Sequence, residues 1–370
     1  MIEFFFDIKN INLPEDLKGI ASKIINGTRI SEVEGILLFE KAELSFLGML
    51  ANKIKEERHG NKIYFNKNIH IEPTNICVNK CNFCNFYKSE EEGYELSENE
   101  ILNKIKQFDG NITEIHIVGA THPDRDVFYY ENILKKIKQI LPAIHIKAFS
   151  AVELDYMFAK AGIKIEEGLK ILKNAGLNSI PGGGAEIFNE IVRKEICSEK
   201  INATQWLEIH ETAHSQNIPS NATMLYGHIE NFENRIEHLS TLRKLQDKTG
   251  GFKTFIPLKF RNKNNELMNI KESTITEDLR NYAVSRIFLD NFEHIKAYWP
   301  NIGKKIAQLS FAFGVDDVDG TINDTTKIFS DAGAEEKNPA MNVDEIIDFI
   351  KQTGRQPIER DSNYNVLKIY

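Results

Sequence analysis

The chain has 370 residues, 41% hydrophobic and 27% charged, a balance that excludes disordered, collagen-like and membrane-embedded classes. Lys and Arg total 46 against 54 Asp and Glu, a net charge of −8 with no basic stripe, so neither nucleic acid nor an anionic membrane is an expected partner. Residues 1–7 lack a basic leader and no stretch reaches the roughly 18 apolar residues of a spanning helix, which predicts a cytoplasmic enzyme.

Over residues 8–58 apolar side chains recur at helical spacing, as at Val33, Ile36, Leu37, Leu44, Leu47, Ala51 and Ile54, with Ser31 as an N-cap. A helical extension over 1–60 is expected. From Asn68 onward, short β-rich runs alternate with longer amphipathic ones, the mark of βα units on a parallel sheet. The predicted strands are 69–73, 114–118, 144–149, 177–180, 221–226, 252–258, 294–299 and 316–322. Helices fall between them at 97–108, 131–141 and 198–215, the first opened by a Ser97/Glu100 capping box. Eight such units predict an α/β fold, a (β/α)8 TIM-type barrel over 61–325, with its active site at the C-terminal ends of the strands. Residues 326–370 are expected to form a C-terminal extension with one helix, 342–353, packed on the barrel.

Three of the four cysteines, Cys77, Cys81 and Cys84, crowd one loop just after the first predicted strand, while Cys197 stands apart. In a chain of this class such packing reads as metal ligation rather than a disulfide framework. Structural zinc would need a second pair of ligands. Spacings of four and three suit an iron-sulfur cluster with one iron left open; an electron carrier with Cys197 or a histidine as fourth ligand is the other reading. The second strand ends at Gly119-Ala120-Thr121, the third delivers Ser150 and Glu153, and the fourth ends in Pro181-Gly182-Gly183-Gly184-Ala185-Glu186. That glycine run has neither Walker nor dinucleotide spacing, and reads as a tight turn or a backbone contact to ligand. Asp316, Asp317 and Asp319 read as a polar turn rather than a second metal site.

Cys77-x3-Cys81-x2-Cys84, with Phe83 before the third cysteine, resembles the cluster motif of the radical S-adenosylmethionine (SAM) superfamily. The resemblance implies a 4Fe-4S cluster on these cysteines, whose open iron binds SAM, and Gly119, Ala120 and Thr121 as the turn supporting the methionine amino group. Ala120 departs from that turn, where a second glycine is usual. A narrower likeness runs through Cys84-Asn85-Phe86-Tyr87 and residues 145–149, 181–188, 220–230 and 250–260, which resemble the aminofutalosine synthase family. Residues 223–230 and 256–258 favour it over the dehypoxanthine futalosine cyclase and the deazaflavin-forming relatives.

The likeness implies that a deoxyadenosyl radical adds to the enolpyruvyl double bond of 3-[(1-carboxyvinyl)oxy]benzoate, giving aminodeoxyfutalosine and methionine for menaquinone. A flavodoxin- or ferredoxin-type reductant is implied, and a homodimer is one admissible assembly. A dianionic substrate in a closed barrel needs charged or multiple donors; the candidates are Arg193, Lys259, Arg261, Lys296, His122 and, foremost, His228. Glu186 and Glu153 are candidates to hold SAM, as are Tyr87, Ser150, Gly183 and Gly184. Tyr226, Tyr298 and Trp299 are candidates to wall the substrate ring.

Overall fold

The computed structural model describes residues 13–108, 112–324, 328–337 and 339–370; residues 1–7, read above for a leader, lie outside them. Among the described residues the strands are β1 (Lys62–Phe65), β2 (Asn68–Ile71), β3 (Glu114–Ile117), β4 (His145–Ala148), β5 (Ser220–Tyr226), β6 (Phe252–Lys259), β7 (His294–Ala297), β8 (Asp317–Val318), β9 (Thr321–Asp324), β10 (Gln356–Arg360) and β11 (Val366–Ile369). β2, β3 and β4 pair in parallel. The predicted strand 177–180 contributes only single bridges, Ser179 to Lys147 and Ile180 to Ser220, and these join β4 to β5. β5, β6, β7 and β8 continue the parallel order, and β9 returns to β2. The result is the expected (β/α) barrel. Helices cover its outside, and every residue of β5 is accordingly buried.

The strand predicted at 316–322 is two pieces, β8 and β9, and the cause is steric. A Cβ on Gly320 would lie 1.4 Å from the carbonyl oxygen of Asn66, so the strand can pass only without a side chain there. The chain opposite breaks in step: β1 pairs with β8 and β2 with β9, with Asn66 and Lys67 between them. The strand predicted at 294–299 stops at Ala297, because Trp299 and Pro300 open a short helix, Trp299–Ile302.

N-terminal helices Glu15–Ile25, Glu32–Lys41 and Leu44–His59 replace the broad extension, the second with Ser31 as cap in a full capping box. Leu44–His59 lies along the barrel helix Ile275–Phe288. The predicted helix 198–215 begins only at Ala203, behind the Asn202 cap, after a separate helix Glu190–Cys197. At the C-terminal side the expected helix is present at Val343–Lys351. Beyond it the sequence reading missed a hairpin: β10 pairs in parallel with β1, from Lys62 opposite Gln356 to Phe65 opposite Glu359, and β11 pairs with β10.

This hairpin closes the N-terminal end of the barrel. Arg360 donates to both oxygens of Asp317, at 3.0 and 2.6 Å. The Tyr364 hydroxyl donates to the same carboxylate at 2.8 Å, and its ring stacks on His294 with centroids 3.6 Å apart. Among the described residues no helix is long and apolar enough to cross a membrane.

Candidate active site

The loop after β2 is tied to the end of β3 by backbone. The Thr74 hydroxyl accepts from Ile76 N–H at 3.0 Å, and Ala120 N–H donates to Thr74 O at 3.0 Å. Gly119 makes this approach feasible, since a Cβ there would lie 3.0 Å from the Thr74 carbonyl oxygen. The tie brings all three cluster cysteines to one cavity of about 90 Å3, also lined by Tyr87, Gly119, Ala120, Thr121 and Ser150. Cys77 Sγ accepts from Thr121 N–H at 3.4 Å. Burial pushes the Cys81 thiol up to about 12, with the Lys200 ammonium opposing it. Cys197 is buried in its own helix and does not line the cavity. Three soft donors around one space, with Cys197 outside its lining, fit a three-thiolate iron-sulfur cluster with an open corner.

Several residues expected to hold SAM also hold the site together. Glu153 accepts from Gly119 N–H at 3.1 Å and from the Ser150 N–H and hydroxyl at 2.7 and 2.6 Å, so it locks the end of β3 to the cap of helix Ala151–Ala161. Its burial raises it to about 7 despite those bonds. Gly184 adopts φ +85° and packs on Val152, and Gly183 lies beside Ser150. Arg193, expected to meet substrate, spends its guanidinium on the backbone oxygens of Gly184, Ala185, Ile187 and Ile201 and so fixes the glycine turn. Glu186, in the left-handed region at φ +44°, pairs at 2.6 Å with Lys200. Lys200, absent from the sequence reading, lines the thiol cavity and lies over the Phe83 ring at 4.9 Å.

A second cavity, of about 180 Å3, fills the barrel beside the first. Of the six basic candidates only Lys296 lines it. Lys259 is committed to Asp278 and Ser273 O, at 2.8 and 2.7 Å. Arg261 is committed to Glu272 and Gly333 O. His122 Nδ1 accepts from Asp124 N–H. His228, the foremost candidate, turns away from the cavity. Gly227 at φ +87° reverses the chain, so the ring meets Leu225 O at 3.1 Å and Glu230 at 3.0 Å.

Of the three aromatic candidates, Tyr298 lines the cavity, whereas the Tyr226 hydroxyl bonds Asp278 and Trp299 Nε1 donates to Asp319 O. Each carboxylate of the Asp316 group has its own cation. Asp316 pairs with Arg286 and His294, Asp317 with Arg360, and Asp319 with Lys296. His59 also lies 3.5 Å from Asp316, but the Arg286 guanidinium occupies the charge a metal would need.

The polar floor of this cavity escaped the sequence reading although a signal existed. In Asn68-Ile69-His70-Ile71, Glu114-Ile115-His116-Ile117 and His145-Ile146-Lys147-Ala148 every second residue is polar. In strands covered by helices outside, that alternation places polar groups inside the barrel. Lys147 donates to both Glu114 oxygens, at 2.9 and 2.8 Å, and holds that buried carboxyl well below its ordinary range.

The radical SAM superfamily profile matches residues 71–242, and the CofH/MqnC C-terminal region matches 249–370. The chain is 42% identical to the aminodeoxyfutalosine synthase of Thermus thermophilus, over 95% of this chain and 96% of that one. The chain belongs to the radical SAM superfamily. This radical SAM chain is also 36% identical to the cyclic dehypoxanthine futalosine synthase of Streptomyces coelicolor, over 96% of its own length and 90% of the other. Its fold matches that of methylornithine synthase, with a TM-score of 0.73 at 17% identity, covering 91% of this chain and 97% of that one.

The superfamily carries a 4Fe-4S cluster and SAM, and the three thiols gathered at the cavity fit the cluster. Cys81→Ala is expected to abolish cluster assembly, read as iron and sulfide content and visible absorbance after reconstitution. Cys197→Ala is expected to retain both; iron loss in that variant would restore the electron-carrier reading.

Proposed function

We propose that this radical SAM enzyme is an aminodeoxyfutalosine synthase, acting in the futalosine route to menaquinone. It joins the 5′-deoxyadenosyl group of SAM to 3-[(1-carboxyvinyl)oxy]benzoate, losing one carboxyl group as carbon dioxide or bicarbonate and releasing methionine. One observation carries the reading: in a chain 42% identical to such a synthase, the three-thiol cavity adjoins a cavity with apolar walls and a polar floor. When bound, the cluster supplies the electron that cleaves SAM to a deoxyadenosyl radical.

Cys77, Cys81 and Cys84 hold the cluster. Tyr87, Ser150 and the Gly119–Thr121 backbone face SAM, and Gly183 lines the second cavity beside Ser150. Val118, Ile256, Leu258 and Phe329 line the second cavity and exclude water from the arene and the radical. Arg193, Glu153 and Glu186 are positioning residues: the first braces the glycine turn, the second joins β3 to Ser150, and the third orients Lys200. His228, outside both cavities, stabilises the loop after β5 through Glu230. The reading includes a cytoplasmic setting and a flavodoxin- or ferredoxin-type electron donor.

Anaerobic incubation of reconstituted enzyme with SAM, a strong reductant and 3-[(1-carboxyvinyl)oxy]benzoate is expected to give aminodeoxyfutalosine and methionine by mass spectrometry. Deoxyadenosine with the benzoate untouched would move the chain to the cyclase reaction. Intact SAM would remove radical chemistry altogether.

A further inference from the structure

The second cavity is graded from floor to rim. On β3, Glu114 and His116 lie below Val118, and on β7 Lys296 lies below Tyr298; Leu258 and Phe329 complete the upper wall. The thiol cavity starts one residue above Val118, at Gly119. A ligand filling the barrel therefore has one end near the cluster and the other on a charged floor.

Two floor groups have donor capacity left. Lys296 Nζ lies 3.3 Å from Asp319 and 3.5 Å from Asp317. One Lys296 N–H goes to Asp319 Oδ2, whose other oxygen takes Asn68 at 3.1 Å and Thr321 at 2.5 Å, while Asp317 is held by Arg360 and Tyr364, so the ammonium keeps a donor for a ligand. Lys147, by contrast, is closed bidentately on Glu114. The second group is His116. Its Nε2 is buried and has no hydrogen-bond partner, and its ring centroid lies 4.6 Å from that of His70. Burial, with His70 and Lys147 nearby, holds this imidazole neutral. An imidazole nitrogen without a partner in a protein interior is costly and calls for one.

We propose that His116 and Lys296 form a carboxylate-recognition site on the cavity floor, which takes the ring carboxylate of the benzoate substrate and points its enolpyruvyl arm toward the thiol cavity. The inference rests on the functional reading above. The neutral imidazole donates from Nε2, the ammonium supplies charge, and Val118, Ile256, Leu258 and Phe329 enclose the ring. The reacting carbon must lie at the rim, so the remote carboxylate falls to the floor. Binding energy gained there orients the far end without touching the bond that reacts.

The test compares kcat/KM for 3-[(1-carboxyvinyl)oxy]benzoate with that for the analogue bearing hydrogen in place of the ring carboxylate. The wild-type enzyme is expected to prefer the carboxylated substrate by about 100-fold, the worth of two charge-assisted hydrogen bonds. His116→Leu and Lys296→Met are each expected to lower kcat/KM for the authentic substrate by roughly 10-fold or more, chiefly through KM. The rate on the analogue should stay within about threefold, and His116→Gln, which keeps a donor, should regain part of the preference. The two positions lie on different strands, so a folding defect at one leaves the other as the test. Aminodeoxyfutalosine formation with the preference unchanged in both variants would overturn the site alone. No product from the wild-type enzyme would overturn the functional reading, and the site with it.

Discussion

Gly320→Ala is expected to yield no folded protein. The atom a Cβ would strike, at 1.4 Å, is the backbone carbonyl oxygen of Asn66, and that residue's carbonyl carbon lies only 2.5 Å away. No rotamer change relieves such a contact, so one of the two strands would have to shift. Both belong to the barrel seam: Asn68 N–H donates to Gly320 O at 3.3 Å, and β8 and β9 pair with β1 and β2 on either side of the kink. Opening the seam would also separate Asp319 from Asn68 and uncover the cavity floor. The cost is on the order of the whole folding free energy, about 5–15 kcal/mol. Gly19→Ala is the control: that glycine is helical and a Cβ there meets nothing within 4 Å, so the change should stabilise by about 0.5–1 kcal/mol. A soluble Gly320→Ala protein melting within about 2 °C of wild type, a difference of roughly 1–2 kcal/mol at this size, would refute the steric account of the seam.

Acid is the second expected source of failure, with stability falling steeply between pH 6.5 and 4. Burial lowers His145 and His214 to about 4 and His238 to about 3, against about 6.5 for a free imidazole. The native state thus binds fewer protons than the unfolded chain in this window. Stability is fully present above pH 6.5 and is lost as pH falls toward the native values. At about 1.4 kcal/mol per pK unit the two shallower shifts amount to roughly 3 kcal/mol each and His238 to more. Their sum rivals the folding free energy. His145 meets the Ser179 hydroxyl, His214 those of Ser220 and Thr249, and His238 the Thr223 carbonyl, so none has a carboxylate hydrogen-bonded to its ring to sustain a positive charge. Circular dichroism during acid titration should give an unfolding midpoint above pH 4, moved lower in His214→Gln. A flat denaturant midpoint from pH 6.5 to 4.5 would refute this attribution.

The cluster loop was legible because its chemistry is local: three cysteines within eight residues need no long-range contact to be recognised. Strand positions were legible wherever β-branched runs recur between amphipathic segments. The failures share a physical cause, which is that direction and pairing are non-local. His228 does follow a strand end, but Gly227 at positive φ turns its ring onto Leu225 and Glu230. Arg193 is a buried cation satisfied by backbone oxygens and Lys200 a half-buried one paired with Glu186, and no periodicity announces such a charge. β11 is exposed on all four residues, so it carries no apolar period at all. His70, His116 and Lys147 were different, since the alternation was present in the sequence and its inward sense follows once the strands are known to be helix-covered.

The hairpin beneath the barrel also sets a timetable. Lys62 pairs with Gln356, and the ion pair that seals the floor needs Arg360. A ribosome adding about 5–20 residues per second takes roughly 15 to 60 s to travel from the first of these strands to its partner. Until the end of that interval β1 lacks its β10 partner, and Asp317, itself made late in it, lacks Arg360, in a topology whose distant contacts already make folding slow. The floor of the barrel therefore closes only after nearly the whole chain has been made.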